Sequence, residues 1–126
     1  MKNLFKVFVL FISISGCAQA QTNVKNLNPA EFIKIIQSTT NKQLLDVRTP
    51  EEWSNGKIKS SIGIDYSSSD FSTKIESLDK NKPVFVYCAA GGRSSKAAQI
   101  LEKKGFKAIY NLQGGGYANL AQAGIK

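Results

Sequence analysis

Lys82-Pro83-Val84-Phe85-Val86-Tyr87-Cys88-Ala89-Ala90-Gly91-Gly92-Arg93-Ser94-Ser95-Lys96-Ala97-Ala98 is the stretch that decides how this chain folds. Its apolar run, Val84 to Tyr87, is rich in β-branched and aromatic side chains and predicts a buried strand. The run stops at a cysteine. Small residues follow, two glycines among them, and Arg93-Ser94 then opens a helical pattern with Ala97, Ala98, Ile100 and Leu101 on one side. The expected local structure is strand, tight loop and helix N-terminus, with a thiol at the mouth of the loop.

Such a loop favours an anion at its centre. The first N–H groups of a helix have no intrahelical partner, and the aligned peptide dipoles place partial positive charge there. Small side chains let the loop curl until successive N–H groups converge on one point. A thiolate at that point is stabilised, so the Cys88 pKa is expected below that of a free thiol. Arg93 brings a fixed positive charge and a fork of donors for an incoming oxyanion. The competing reading is a buried structural cysteine at a strand end. Position speaks for the reactive one, because α/β sheets bind ligands in the crevice at the C-terminal ends of their strands.

Cys88-x-x-Gly91-x-Arg93-Ser94 resembles the active-site loop of the single-domain rhodaneses, sulfurtransferases that carry sulfur as a cysteine persulfide. The loop of cysteine-dependent phosphatases has similar grammar, with one residue more between Cys and Arg than the four here. A shorter ring of N–H groups suits a persulfide sulfur better than a tetrahedral phosphate. Leu45-Asp46-Val47-Arg48-Thr49-x-Glu51-Glu52-Trp53 is similar to the family's "DVR…E(Y/F)" signature, and Leu112-Gln113-Gly114-Gly115-Gly116-Tyr117-Ala118 to its closing "LxGGxxAW", with Asn119 in place of tryptophan. Asn55 to Ile64 is similar to "GHIxGAxNI" but carries Lys57 for histidine, Ser60 for glycine and Gly63 for asparagine. The resemblance covers about residues 24–126. It implies that Cys88 is the nucleophile and that Ala89, Ala90, Gly91, Gly92, Arg93 and Ser94 form the substrate-binding loop. Asp46 and Arg48 then support the rim as a mutual or loop-directed ion pair, since unpaired buried charges are costly.

The remaining chain predicts strands alternating with helices. Val24 to Leu27 reads as an edge strand. Asn28 caps a helix that Pro29 begins, with Phe32, Ile33, Ile35 and Ile36 on its buried face. Gln43 to Arg48 is the next strand, and Thr49-Pro50 opens a short helix with acids in its first turn. Ile62 to Ile64 reads as a short strand, and Phe71, Ile75 and Leu78 have helical spacing. The helix after Cys88 closes at Lys103-Lys104-Gly105, the glycine suited to a left-handed cap. Phe106 to Asn111 is the last strand, and the glycines after it allow close backbone approach to the Cys88 loop. This order implies a rhodanese-like three-layer α/β fold, a mostly parallel five-stranded sheet with helices on both faces.

Residues Met1 to Ala20 read as a targeting segment outside the fold, leaving one domain over 21–126. Lys2 and Lys6 form a basic n-region and Val7 to Ile14 an apolar core too short to span a membrane. Ile14-Ser15-Gly16-Cys17 resembles the bacterial lipobox, in which the cysteine is lipidated. Ala18-Gln19-Ala20 offers ordinary cleavage before Gln21, and the lipobox is favoured. Either way the expectation is export to the periplasm or the cell envelope, with membrane attachment only through a lipid on Cys17. Loss of Lys2 and Lys6 takes the formal charge from +8 to +6, and the other lysines are scattered. That pattern describes a solvated basic surface, not a nucleic-acid reader.

Of the 126 residues two are cysteine and none is histidine. A Cys–His hydrolase, a histidine metal site and an imidazole base are excluded, and no metal or cofactor is expected. With Cys17 lipidated or removed, Cys88 is the one thiol left. An exposed thiol in an oxidising compartment is prone to oxidation, so chemistry is the simplest reason for it. A monomer is expected, and the resemblance implies as partners a small sulfur-containing anion such as thiosulfate, or a protein persulfide or thiol. Cys88 takes a sulfur from the donor and passes it to a thiophilic acceptor. A non-catalytic binding module and a phosphatase or arsenate reductase of the same fold are the alternatives.

Overall fold

The computed structural model describes residues 22–126; the targeting segment and Cys17 lie outside the described residues. Five strands form one sheet, β1 (Val24–Leu27), β2 (Gln43–Asp46), β3 (Ile62–Gly63), β4 (Val84–Tyr87) and β5 (Ile109–Leu112), in the order β1-β5-β4-β2-β3. Every pairing is parallel. Between and after them run α1 (Pro29–Ser38), α2 (Pro50–Ser54), α3 (Phe71–Lys74, continued as a 3-10 turn over Ile75–Ser77), α4 (Gly92–Lys103) and α5 (Tyr117–Gln122).

Strand β4 sits at the centre because it has no polar face to give to water. Val84 and Val86 pack into one core with Leu45, Val47, Ile75, Ala97, Ala98 and Leu101. Phe85 and Tyr87 point the other way, into a second core with Phe32, Ile36, Leu44, Leu112 and Leu120. A strand buried on both faces reads as an unbroken apolar run, which is the run Val84 to Tyr87. The sheet thus has α3 and α4 on one face and α1 and α5 on the other, three layers as the sequence pattern implies.

Local chemistry sets the helix starts. The Asn28 side chain accepts the Glu31 N–H at 2.9 Å, and Thr49 and Glu52 cap α2 reciprocally, a capping box that satisfies orphan donors at both positions. The elements differ from the sequence reading in several places: β2 ends at Asp46 and not at Arg48, and β3 at Gly63 and not at Ile64. The last strand begins at Ile109, because the Phe106 N–H is spent on the Leu101 carbonyl at the end of α4. Helix α5 does not appear in the sequence reading: its only fully buried residue is Leu120, so no apolar period announces it.

Candidate active site

Cys88 follows β4 directly, at the C-terminal edge of the sheet where parallel strands open toward a crevice. The chain then turns through Ala89 and Ala90, both exposed, to Gly91, which caps α4 with φ 99°. A Cβ is disfavoured in that left-handed conformation, so glycine is what allows the loop to close so quickly. Closure points the Gly91 N–H at the Cys88 sulfur, 2.9 Å away. Gly92 is exposed and begins the helix; Arg93 is half-buried in its first turn, and Ser94 is buried.

Ser94 completes the cradle. Its Oγ lies 3.6 Å from Cys88 Sγ, 3.3 Å from the Gly91 carbonyl and 3.5 Å from that of Leu112. One hydroxyl proton therefore has a choice of acceptors, and it turns to sulfur when the sulfur becomes an anion. Burial pushes the Cys88 thiol up. The Ser94 hydroxyl and the backbone N–H groups of Ser94, Ala90 and Gly91 more than offset it, and the thiol ends below its ordinary value. The sequence reading of an exposed thiol is corrected here: Cys88 is only 1% exposed. Cys88 belongs to the core that α4 covers, together with Ala97, Ala98 and Leu101.

The loop is clamped from behind. The Tyr117 N–H donates to the Cys88 carbonyl at 2.9 Å. Gly116 lies so close that a Cβ there would run into the carbonyl oxygens of both Cys88 and Ala89. Asn119, at the position where the resemblance leads one to expect tryptophan, accepts the Gly116 N–H at 3.0 Å and fixes this approach. Asp46 and Arg48 are both buried and joined to each other, with Nη2 2.8 Å from Oδ2. The Tyr87 hydroxyl donates to the same Oδ2 at 2.7 Å. Arg48 also donates to the Gly56 carbonyl at 2.9 Å and lies 4.0 Å over the Tyr117 ring. One ion pair thereby joins β2, β4, the Gly56 turn and α5, the elements that frame the loop.

Arg93 does not extend freely into solvent. Its Nη1 and Nη2 meet the two carboxylate oxygens of Glu52 at 2.6 and 3.0 Å. That contact, with the Thr49 N–H, holds the Glu52 carboxyl down to about 2, against a smaller opposing push from burial. Glu52, Tyr87 and Tyr117 are site residues that the sequence reading did not single out, whereas Gly116 makes the close backbone approach expected of the glycines after the last strand. The Thr49-x-x-Glu52 spacing announces a capping box, but nothing in it reveals that the acid also reaches Arg93, 41 positions away.

Fold and loop define a class: a parallel α/β domain that sets a cysteine at the end of its central strand, under the N-terminus of a helix. The family model described as the rhodanese-like domain matches residues 28–121, and the chain belongs to that family. It is 36% identical over 103 residues to the tRNA uridine(34) hydroxylase of Pelagibacter ubique, covering 79% of this chain and 34% of that one. The chain thus spans about a third of that relative's length. It is 37% identical over 73 residues to the thiosulfate sulfurtransferase GlpE of Pseudomonas syringae, covering 57% of this chain and 66% of that one. Among solved structures, a rhodanese-related protein from Thermoplasma volcanium superposes with a TM-score of 0.63 at 30% identity, over 78% of this chain and 92% of that one.

Proposed function

We propose that the protein is a sulfurtransferase that carries sulfane sulfur on Cys88, from a donor such as thiosulfate to a thiophilic acceptor. The observation that carries this reading is the cradle: the Gly91 N–H 2.9 Å from Sγ, the Ser94 hydroxyl at 3.6 Å and a twelve-residue helix beginning at Gly92. In the first step the Cys88 thiolate attacks the outer sulfur of the donor. With thiosulfate the S–S bond breaks, sulfite leaves with the electron pair, and Cys88 holds a persulfide. In the second step the acceptor, cyanide in the test tube or a thiol in the cell, attacks the outer sulfur and the thiolate is released. The loop N–H groups between Ala89 and Arg93 hold charge on the outer sulfur as it develops. Asp46 and Arg48 act as positioning residues through Tyr117 and the Gly56 turn.

One observation favours a second reading, a non-catalytic binding module: the burial of Cys88. The experiment that separates the two is intact mass after treatment with a sulfane-sulfur donor, then with cyanide, with thiocyanate assayed in parallel. Gain of one sulfur on Cys88, its loss to cyanide and the absence of both in Cys88→Ser support the transferase. A Cys88 that alkylates normally but takes sulfur from neither thiosulfate nor an alkyl persulfide supports the module. A cysteine-dependent phosphatase is the third reading, and hydrolysis of an aryl phosphate that Cys88→Ser abolishes would establish it.

For the N-terminus we propose export, cleavage before Cys17 and lipidation of that cysteine as the one membrane attachment. Recovery of a diacylated Cys17 N-terminus from the cell envelope supports this; a mature chain that begins at Gln21 overturns the lipid but not the export. Small sulfur compounds or a protein thiol are the proposed partners, with the protein acting as a monomer.

A further inference from the structure

Glu52 decides how much charge the site offers a donor. Its two oxygens hold both terminal nitrogens of Arg93 in a bidentate pair, and Oε1 is held in turn by the Thr49 N–H and hydroxyl at 3.3 and 3.1 Å. Between Cys88 and Ser94 Arg93 is the only charged residue, the others being alanine and glycine. The guanidinium behind the loop, Arg48, is taken by Asp46 and the Gly56 carbonyl. Both guanidinium groups, Arg93 and Arg48, therefore carry their own counter-charge, and what faces the sulfur is backbone N–H and the Ser94 hydroxyl, all uncharged.

These uncharged donors stabilise one negative charge on sulfur. A thiosulfate dianion meeting a thiolate brings three negative charges together, and like charges at contact oppose one another strongly unless a free cation offsets them. An alkyl persulfide, reacting in its protonated form R–S–SH, adds no charge to that of the thiolate and imposes no such demand. Resting on the sulfurtransferase reading, we infer that Glu52 is a specificity-determining residue. By holding Arg93 it turns the site away from oxyanionic donors and toward persulfides of uncharged or weakly charged thiols. The step is R–S–SH plus the Cys88 thiolate giving R–S⁻ plus Cys88–S–SH. The donor's S–S bond breaks, a new S–S bond forms on Cys88, the proton stays on the transferred sulfur, and no oxidant is needed.

The test compares thiosulfate with the persulfide of N-acetylcysteine methyl ester, reading cyanide-dependent thiocyanate formation and subtracting a Cys88→Ser blank. The full chain should favour the persulfide in kcat/KM by about tenfold or more, the scale of one charge-assisted contact denied to the oxyanion. Glu52→Gln keeps an acceptor for the α2 cap and removes the charge that neutralises Arg93. It should lower the thiosulfate KM by about tenfold while moving the persulfide kcat/KM less than about twofold. Thr49→Val weakens the cap but leaves the ion pair, and should leave the donor ratio unchanged. A wild-type chain that uses thiosulfate as well as the persulfide overturns the inference without any variant. So does a Glu52→Gln enzyme whose two donors change alike, since that is a merely structural effect. If neither donor loads sulfur onto Cys88 by intact mass, the transferase reading itself fails, and this one with it.

Discussion

The Tyr117 N–H donates to the Cys88 carbonyl at 2.9 Å, so the first residue of the last helix holds the backbone of the reactive cysteine. The contact exists because Gly116, just before it, has no side chain. A Cβ there would overlap the Cys88 and Ala89 carbonyl oxygens, which are backbone atoms and cannot swing aside. Gly116→Ala is expected to push α5 and the loop apart, at about 1–3 kcal/mol of stability, the range of overpacked sites. Denaturant midpoints measure the first effect, and the rate of Cys88 sulfur loading the second. A variant with wild-type values in both would mean that the clamp is slack.

Ser94 has a different kind of influence, on ionisation. Its hydroxyl is a donor to the thiolate, and removing it leaves burial opposed by backbone N–H groups alone. Ser94→Ala should therefore raise the Cys88 pKa, moving the pH profile of iodoacetamide alkylation to higher pH. The wild-type profile should rise at a pH below that of a free cysteine. Because Ser94 is buried and the alanine is smaller, the fold should survive the change, and circular dichroism can check it. An unmoved profile in Ser94→Ala would assign the depression to the loop backbone alone.

Glu52 and Arg93 couple the rim to pH. Folding lowers the Glu52 pKa from 4.5 to about 2, so the folded state favours the ionised carboxylate. Its contribution is present in full above pH 4.5 and is lost as the pH falls toward 2. The side chains of the pair are 31% and 32% exposed, and solvent screening leaves about 1 kcal/mol for such a pair. Wild type and Glu52→Gln should thus differ by about that amount in urea unfolding at pH 7, and the gap should shrink below pH 4.5 and close only as the pH reaches about 2. A gap that stays constant across this range would place the effect in the α2 cap and not in the charge.

Much of this was legible in the chain, for physical reasons that can be stated. Val84 to Tyr87 announced a strand buried on both faces because both faces need apolar residues, and Asn28-Pro29 and Thr49-Pro50 announced helix starts because capping is local chemistry. The Cys88 loop was legible because glycine, small residues and a helix start occur together. The engagement of Arg93 was not, since its partner lies in another element and ion pairing leaves no periodic trace. Helix α5 was hidden in the same way, held by backbone contacts of Gly116 and Tyr117 and not by an apolar stripe. The burial of the thiol depends on how α4 settles over β4, a tertiary fact that no window of sequence contains.

The Asp46–Arg48 pair separates positioning from mere stability. Both side chains are buried, so removing one strands the other: Asp46→Asn should cost about 3–5 kcal/mol, measured by guanidinium unfolding. Tyr87→Phe removes one hydrogen bond to a charged oxygen and should cost about 1.5–3 kcal/mol. If the two act through one network, the double variant should lose less than the sum, because Tyr87 has no carboxylate to meet once Asp46 is gone. The same network reaches Tyr117 through Arg48, 4.0 Å over its ring, and Tyr117 holds Cys88. Asp46→Asn should therefore also slow sulfur loading at a temperature where the variant is still folded. Tyr87→Phe, which leaves the Arg48–Tyr117 stack intact, should slow it far less. Equal slowing in both variants would reduce the pair to a stabilising contact with no hold on the loop.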